Sequence, residues 1–129
     1  MTSDRVSRAG IAAALDGVCL VAFVVLGRGS HGLNGGSDWF VTVLWPFVVG
    51  WYAAAFITGL YRAARHPWRR AAVTVALGVT LACVIRVAAT SRSTPVVFGV
   101  VAFSFLLLTT VGWRVAARLV TRVRVRASV

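Results

Sequence analysis

Six residues carry the chemistry this sequence can offer: Asp16, Arg28, Ser30, His31, Trp45 and Arg86. The stretch Gly27-Arg28-Gly29-Ser30-His31-Gly32 puts a cation, a hydroxyl, a titratable imidazole and flexible backbone just past a long apolar run. Arg28, His31, Arg86 and Arg92 are residue types that hold a carboxylate or a phosphate. Trp45 and Pro46 would stand beside them as a wall. Arg28 and Arg92 have a plainer reading too, as anchors of helix ends at lipid headgroups. His31 taken alone is an ordinary solvated loop histidine by default.

Asp16 and Arg86 are different, because each interrupts an apolar run. An ionised carboxylate at the centre of a membrane-spanning helix costs about 2.5–3.5 kcal/mol. Asp16 is therefore expected to face other helices near the membrane midplane, either as a proton or cation site or as a packing group. At 1.5 Å rise per residue, Arg86 would lie on the order of 10 Å outward of it. Arg86 can bend in to pair with Asp16 or snorkel outward. Thr80, Ser104 and Thr109 are the hydroxyls expected near the depth of Asp16.

The elements that must position these residues follow from composition. The chain has 129 residues, 59% of them hydrophobic and only 13% charged. Soluble domains carry roughly a quarter charged residues, so this chain belongs in a bilayer. Apolar runs predict spans at about 9–27, 39–61, 71–90 and 96–113, since about 20 residues cross the hydrocarbon. Glycines break the run at 28–38, where Asp38 is the expected cap, and a basic loop with Pro67 follows at 62–70. Pro46 falls in the first two turns of the second run. Residues 114–129 form a basic tail, which can extend as an amphipathic helix on the membrane surface, although the alternating Val and Arg at 122–126 speak against one. The fold class is all-α: one integral membrane four-helix bundle, in a single domain.

The net charge of +11 comes from 14 arginines, no lysine and 3 acids. In a soluble protein that would point to nucleic acid. Here the arginines lie between apolar runs. Eleven fall at the two tails and the second loop; only Arg28 and Arg92 fall in the other loops. The excess of cations on the cytoplasmic side then places both termini in the cytoplasm, in a multi-pass protein of the cell membrane. The inner cluster attracts anionic lipids. Nucleic acid is not an expected partner.

No nucleophile motif, phosphate loop, dinucleotide motif or metal-binding spacing is present, so no enzyme, metal or cofactor is expected. Cys19 and Cys83 lie deep in apolar runs as small buried residues. Small residues at four-residue spacing, such as Gly50 with Ala54 and Ala72 with Ala76, allow close helix approach. They serve packing within the bundle or a homo-oligomer.

Several of these pieces occur in one order: Asp16, GRGSH at 27–31, WPFVVGW at 45–51, Arg86, and GWR at 112–114. In that order the chain resembles a family of small bacterial and archaeal membrane proteins, domain of unknown function 3054, over about residues 15–114. The resemblance implies a four-span membrane protein and no particular activity, substrate or cofactor. A looser likeness, of architecture alone, is to the small multidrug-resistance transporters, four-span chains with an acid in the first span. Two functions are expected on these grounds. One is a small solute or ion transporter with an outer basic anion site. The other is a non-catalytic subunit, or a lipid- or partner-binding protein, of a membrane complex.

Overall fold

The computed structural model describes residues 2–30, 36–62, 65–91 and 94–128. It contains four helices and, among the described residues, no strand: α1 (Thr2–Ser30), α2 (Ser37–Thr58), α3 (Pro67–Thr90) and α4 (Val96–Ala127). Each is long and apolar enough to cross a membrane. Consecutive helices run antiparallel and pack on one another, and α4 closes the ring against α1. Both ends of the chain therefore lie at one end of the bundle, with the α2–α3 turn. The α3–α4 turn lies at the opposite end.

Two helices outrun the expected spans. α1 begins at Thr2 rather than near residue 9, and the basic tail continues α4 through Ala127. Residues 114–127 hold no glycine or proline, and their arginines, alanines and leucine suit a helix. The expected 28–38 loop is also shorter, because α1 runs on to Ser30 and α2 starts at Ser37. Gly36 occupies the N-cap position and Asp38 sits in the first turn, where an acid faces the positive end of the helix dipole. Pro46 is buried in the third turn of α2 rather than the first two. It gives the Thr42 carbonyl no helical N–H.

The α2 terminus shows how the chain turns. Gly59 takes the left-handed conformation, φ 64°, which glycine adopts without a Cβ penalty. The Leu60 N–H then reaches the Ala55 carbonyl at 2.9 Å, and the Gly59 N–H reaches that of Phe56 at 3.2 Å. This is the Schellman closure of a helix. Arg70 Nη1 adds a bond to the Gly59 carbonyl at 2.9 Å, so one arginine of the basic loop caps a helix end.

The interior is closed by aromatic rings. Phe23 meets Phe47, Phe98 and Phe105 with centroids 5.3, 5.9 and 5.6 Å apart. α2 and α3 approach closely at Gly50, where a Cβ would stand 2.7 Å from the Ala82 nitrogen and 2.9 Å from the Gly78 carbonyl oxygen. The outer face is apolar: Phe56 is 83% exposed, Val96 82% and Leu108 74%. Water would penalise that surface; a bilayer covers it. The molecule is a multi-pass membrane four-helix bundle.

Candidate functional site

Asp16 is the centre of the most connected polar group in the bundle. Its side chain is fully buried. Arg114, from α4, grips it with two parallel bonds: Nη1 to Oδ1 at 2.8 Å and Nη2 to Oδ2 at 2.9 Å. Trp113 donates its indole N–H to Oδ1 at 2.9 Å. The Tyr61 hydroxyl, from the turn after α2, donates to Oδ2 at 2.9 Å and accepts the Trp51 indole N–H at 3.3 Å. Each carboxylate oxygen thus accepts two donors, which fills the four acceptor sites an ionised carboxylate presents.

The partners are themselves held. Arg114 Nη1 also bonds the Thr110 carbonyl at 3.1 Å, and its guanidinium lies 4.3 Å from the Trp113 ring centroid. On α1, the Ala13 carbonyl one turn from Asp16 accepts the Tyr52 hydroxyl at 2.8 Å. Burial first, then the negative charge of Asp16, push the Tyr61 phenol well above the ordinary tyrosine range. Residues from α1, α2, the α2–α3 turn and α4 are tied at one point.

The donors to Asp16 are Tyr61, Trp113 and Arg114, at the turn after α2 and the end of the α4 apolar run, and not the hydroxyls of Thr80, Ser104 and Thr109. Thr80 and Thr109 instead bond carbonyls of their own helices, at 2.8 and 2.9 Å, and Ser104 is exposed. The antiparallel register with α4 sets Asp16 opposite Trp113 and Arg114.

Arg86 is not the partner of Asp16. It lies at the other end of the bundle, with its guanidinium 4.9 Å from the Phe98 ring centroid. Sixteen residues of α4 separate Phe98 from Arg114, about 24 Å of helix. Among the described residues the Arg86 guanidinium meets no carboxylate and no hydrogen-bond acceptor, though the residue is half-buried.

The other expected members of the outer cluster are only partly placed. Arg28 is exposed in the last turn of α1, and Trp45 is partly exposed on α2. No hydrogen bond, ion pair or cation–ring contact joins Arg28, Trp45 and Arg86 among the described residues. His31 and Arg92 lie outside the described residues, as does the side chain of Ser30. No group of metal-ligating side chains occurs among the described residues, and Cys19 and Cys83 are both free thiols.

The residues not foreseen as a site are Trp51, Tyr61, Trp113 and Arg114. In the sequence Tyr61 and Trp113 stand at the ends of apolar runs, Trp51 lies within one, and Arg114 opens the basic tail. The signal that could have found them was the grouping of Asp16, WPFVVGW and GWR: Trp51 ends the second piece, Trp113 and Arg114 end the third, and all three pieces meet here.

The family model described as "Protein of unknown function (DUF3054)" matches residues 13–117. That span includes Asp16, Trp51, Tyr61, Arg86, Trp113 and Arg114. Comparison with curated proteins and with solved structures gives no match.

Proposed function

The chain belongs to the DUF3054 family, and from that premise we propose that it is a non-enzymatic membrane protein that binds an anion at the Arg86 end of its bundle. The observation that carries this reading is the division of labour between two arginines. Asp16, the acid in the middle of α1, is consumed by Arg114. Arg86 has no counter-ion among the described residues. A cation within a span is costly and ordinarily faces a partner or a cavity; a bound carboxylate or phosphate would supply one. Arg28 belongs to the same end and would raise the local positive potential.

In this reading Asp16 is neither an open proton site nor a cation site, because all its acceptor positions are taken. The Asp16–Arg114 group is a lock that fixes α1 against α4. The exposed arginines at the opposite end, Arg62, Arg65, Arg69, Arg118 and Arg122 among them, set the orientation, with the termini in the cytoplasm of a cell-membrane protein, and attract anionic headgroups.

The test is binding of anionic against zwitterionic lipid and of inorganic phosphate to the purified protein. Wild type favours the anions; Arg86→Gln loses that preference while retaining helicity and the cooperative unfolding of wild type. Equal anion preference in both proteins would remove Arg86 from the function.

A second reading, transport by a dimer, is favoured by one observation. The ion pair joins the two terminal helices, so its opening would part α1 from α4. Transport predicts that Asp16→Asn abolishes flux into liposomes; the binding reading predicts that it leaves the anion preference at Arg86 intact.

A further inference from the structure

α3 and α4 do not close on each other as α2 and α3 do. Between them lies a groove of about 500 Å³ that opens on the outer face of the bundle. On α3 it is lined by Ala76, Val79, Cys83 and Val84, and on α4 by Val96, Gly99 and Phe103. The small residues explain the gap. A Cβ added at Gly99 would meet nothing within 4 Å, whereas one at Gly50 would strike the backbone of α3. The volume is within the range of specific ligand sites, about 300–1,000 Å³.

Thr80 is on the groove wall with its hydroxyl spent on the Ala76 carbonyl at 2.8 Å, and two further polar features belong to one end: Thr94 on the wall and Arg86 one turn beyond Cys83. Thr94, in the turn between α3 and α4, lines the groove. Its hydroxyl oxygen is buried and has no hydrogen-bond partner among the described residues. Native structures seldom leave a buried hydroxyl unpaired, so such an atom calls for a missing partner. Arg86 is the second feature. It shares a helical stripe with Val79 and Cys83, at spacings of four and three residues, and its guanidinium reaches over Phe98, the neighbour of Gly99. It stands one turn inside the end of α3, so its side chain extends to headgroup depth.

We propose that the groove between α3 and α4 holds the acyl chain of a membrane phospholipid, with the phosphate on Arg86 and a headgroup or ester oxygen on the Thr94 hydroxyl. This rests on the anion-binding reading and names its ligand. The occupant follows from the surfaces. Where an acyl chain would lie the wall is apolar but for Thr80, whose hydroxyl is already bonded, and the cation Arg86 stands beyond Cys83 where a phosphate would lie. Both polar features occur at one end, as an amphiphile with one polar end requires. A helix from a second copy of the chain would fill the apolar part, but of the three acids Asp16 is taken and Asp4 lies near the chain start at the opposite end, which leaves it only Asp38, in the first turn of α2, to offer Arg86.

The test uses native mass spectrometry of the full chain with phosphatidylglycerol, and phosphate binding measured alongside. Gly99→Leu places a side chain in the groove without touching Arg86. It is expected to weaken phosphatidylglycerol binding at least tenfold and to leave inorganic phosphate binding unchanged. Thr94→Val, which keeps the shape and removes the hydroxyl, is expected to weaken the lipid several-fold and guards against a Gly99→Leu protein that fails to fold. Arg86→Gln loses lipid and phosphate together. If Arg86→Gln loses both while Gly99→Leu and Thr94→Val bind lipid as wild type does, the groove proposal is overturned and the anion reading stands. If Arg86→Gln keeps both, both proposals are overturned. A wild-type dimer without lipid that Gly99→Leu converts to monomer would assign the groove to a second copy and overturn the lipid proposal.

Discussion

At the scale of residues, Asp16 is a fully satisfied carboxylate, and Arg86 is a half-buried guanidinium with no hydrogen-bond acceptor among the described residues. Asp16 takes four donors, from Tyr61, Trp113 and Arg114. Removing the acid strands a largely buried cation, so Asp16→Ala should cost about 3–5 kcal/mol, read as a shift in detergent-titrated unfolding. Tyr61 gives a pH test. Its phenol holds its proton more tightly folded than unfolded. Stability from this group is therefore constant below the ordinary tyrosine pKa of about 10. It falls as pH rises above that value, because only the unfolded chain ionises there. Tyr61→Phe should lessen that alkaline loss in unfolding midpoints taken from pH 8 to 11; an unchanged slope would contradict the bond. That Asp16 must face inward was legible from its place in an apolar run. Its partner was not, since Arg114 reads as the first residue of a basic tail and Arg86 as the nearer cation.

At the scale of elements, glycine spacing decides which helices touch. Gly50 lies against the backbone of α3, and a Cβ there would come within 2.7 Å of it. Gly50→Ala is expected to force α2 and α3 apart and to lower stability by about 1–3 kcal/mol, the usual range for overpacking. Gly10→Ala meets nothing within 4 Å in the middle of a helix, so it should be neutral or stabilising by up to about 1 kcal/mol. Thermal unfolding of the two variants in one lipid decides this; equal effects would contradict the packing. The four helices were readable from apolar runs of membrane length. Their ends were less so. The tail reads as a basic appendage because its arginines break the apolar pattern, yet backbone preference carries α4 to Ala127. Antiparallel register, which sets Asp16 opposite Arg114, depends on helix packing that no single run reports.

At the scale of the whole molecule, the two ends of the bundle have opposite needs. The end carrying both termini is internally paired and tied by Asp16 and Arg114. The other end presents Arg86 without a counter-ion among the described residues, and the groove between α3 and α4 opens beside it. Reporter fusions at the two termini should lie on the same, arginine-rich side of the membrane; fusions on opposite sides would contradict a four-span bundle. The order of motifs across residues 13–117 signalled the family, and it also held the polar group, although the contacts among its pieces appear only in the folded chain. The central claim is that Arg114 takes the acid and leaves Arg86 for an external anion. The most direct measurement is a pair of double-mutant cycles on unfolding stability, Asp16→Asn with Arg114→Gln and Asp16→Asn with Arg86→Gln. A coupling on the order of 2 kcal/mol is expected in the first cycle and less than about 0.5 kcal/mol in the second. Strong coupling of Asp16 to Arg86, with none to Arg114, would contradict the claim.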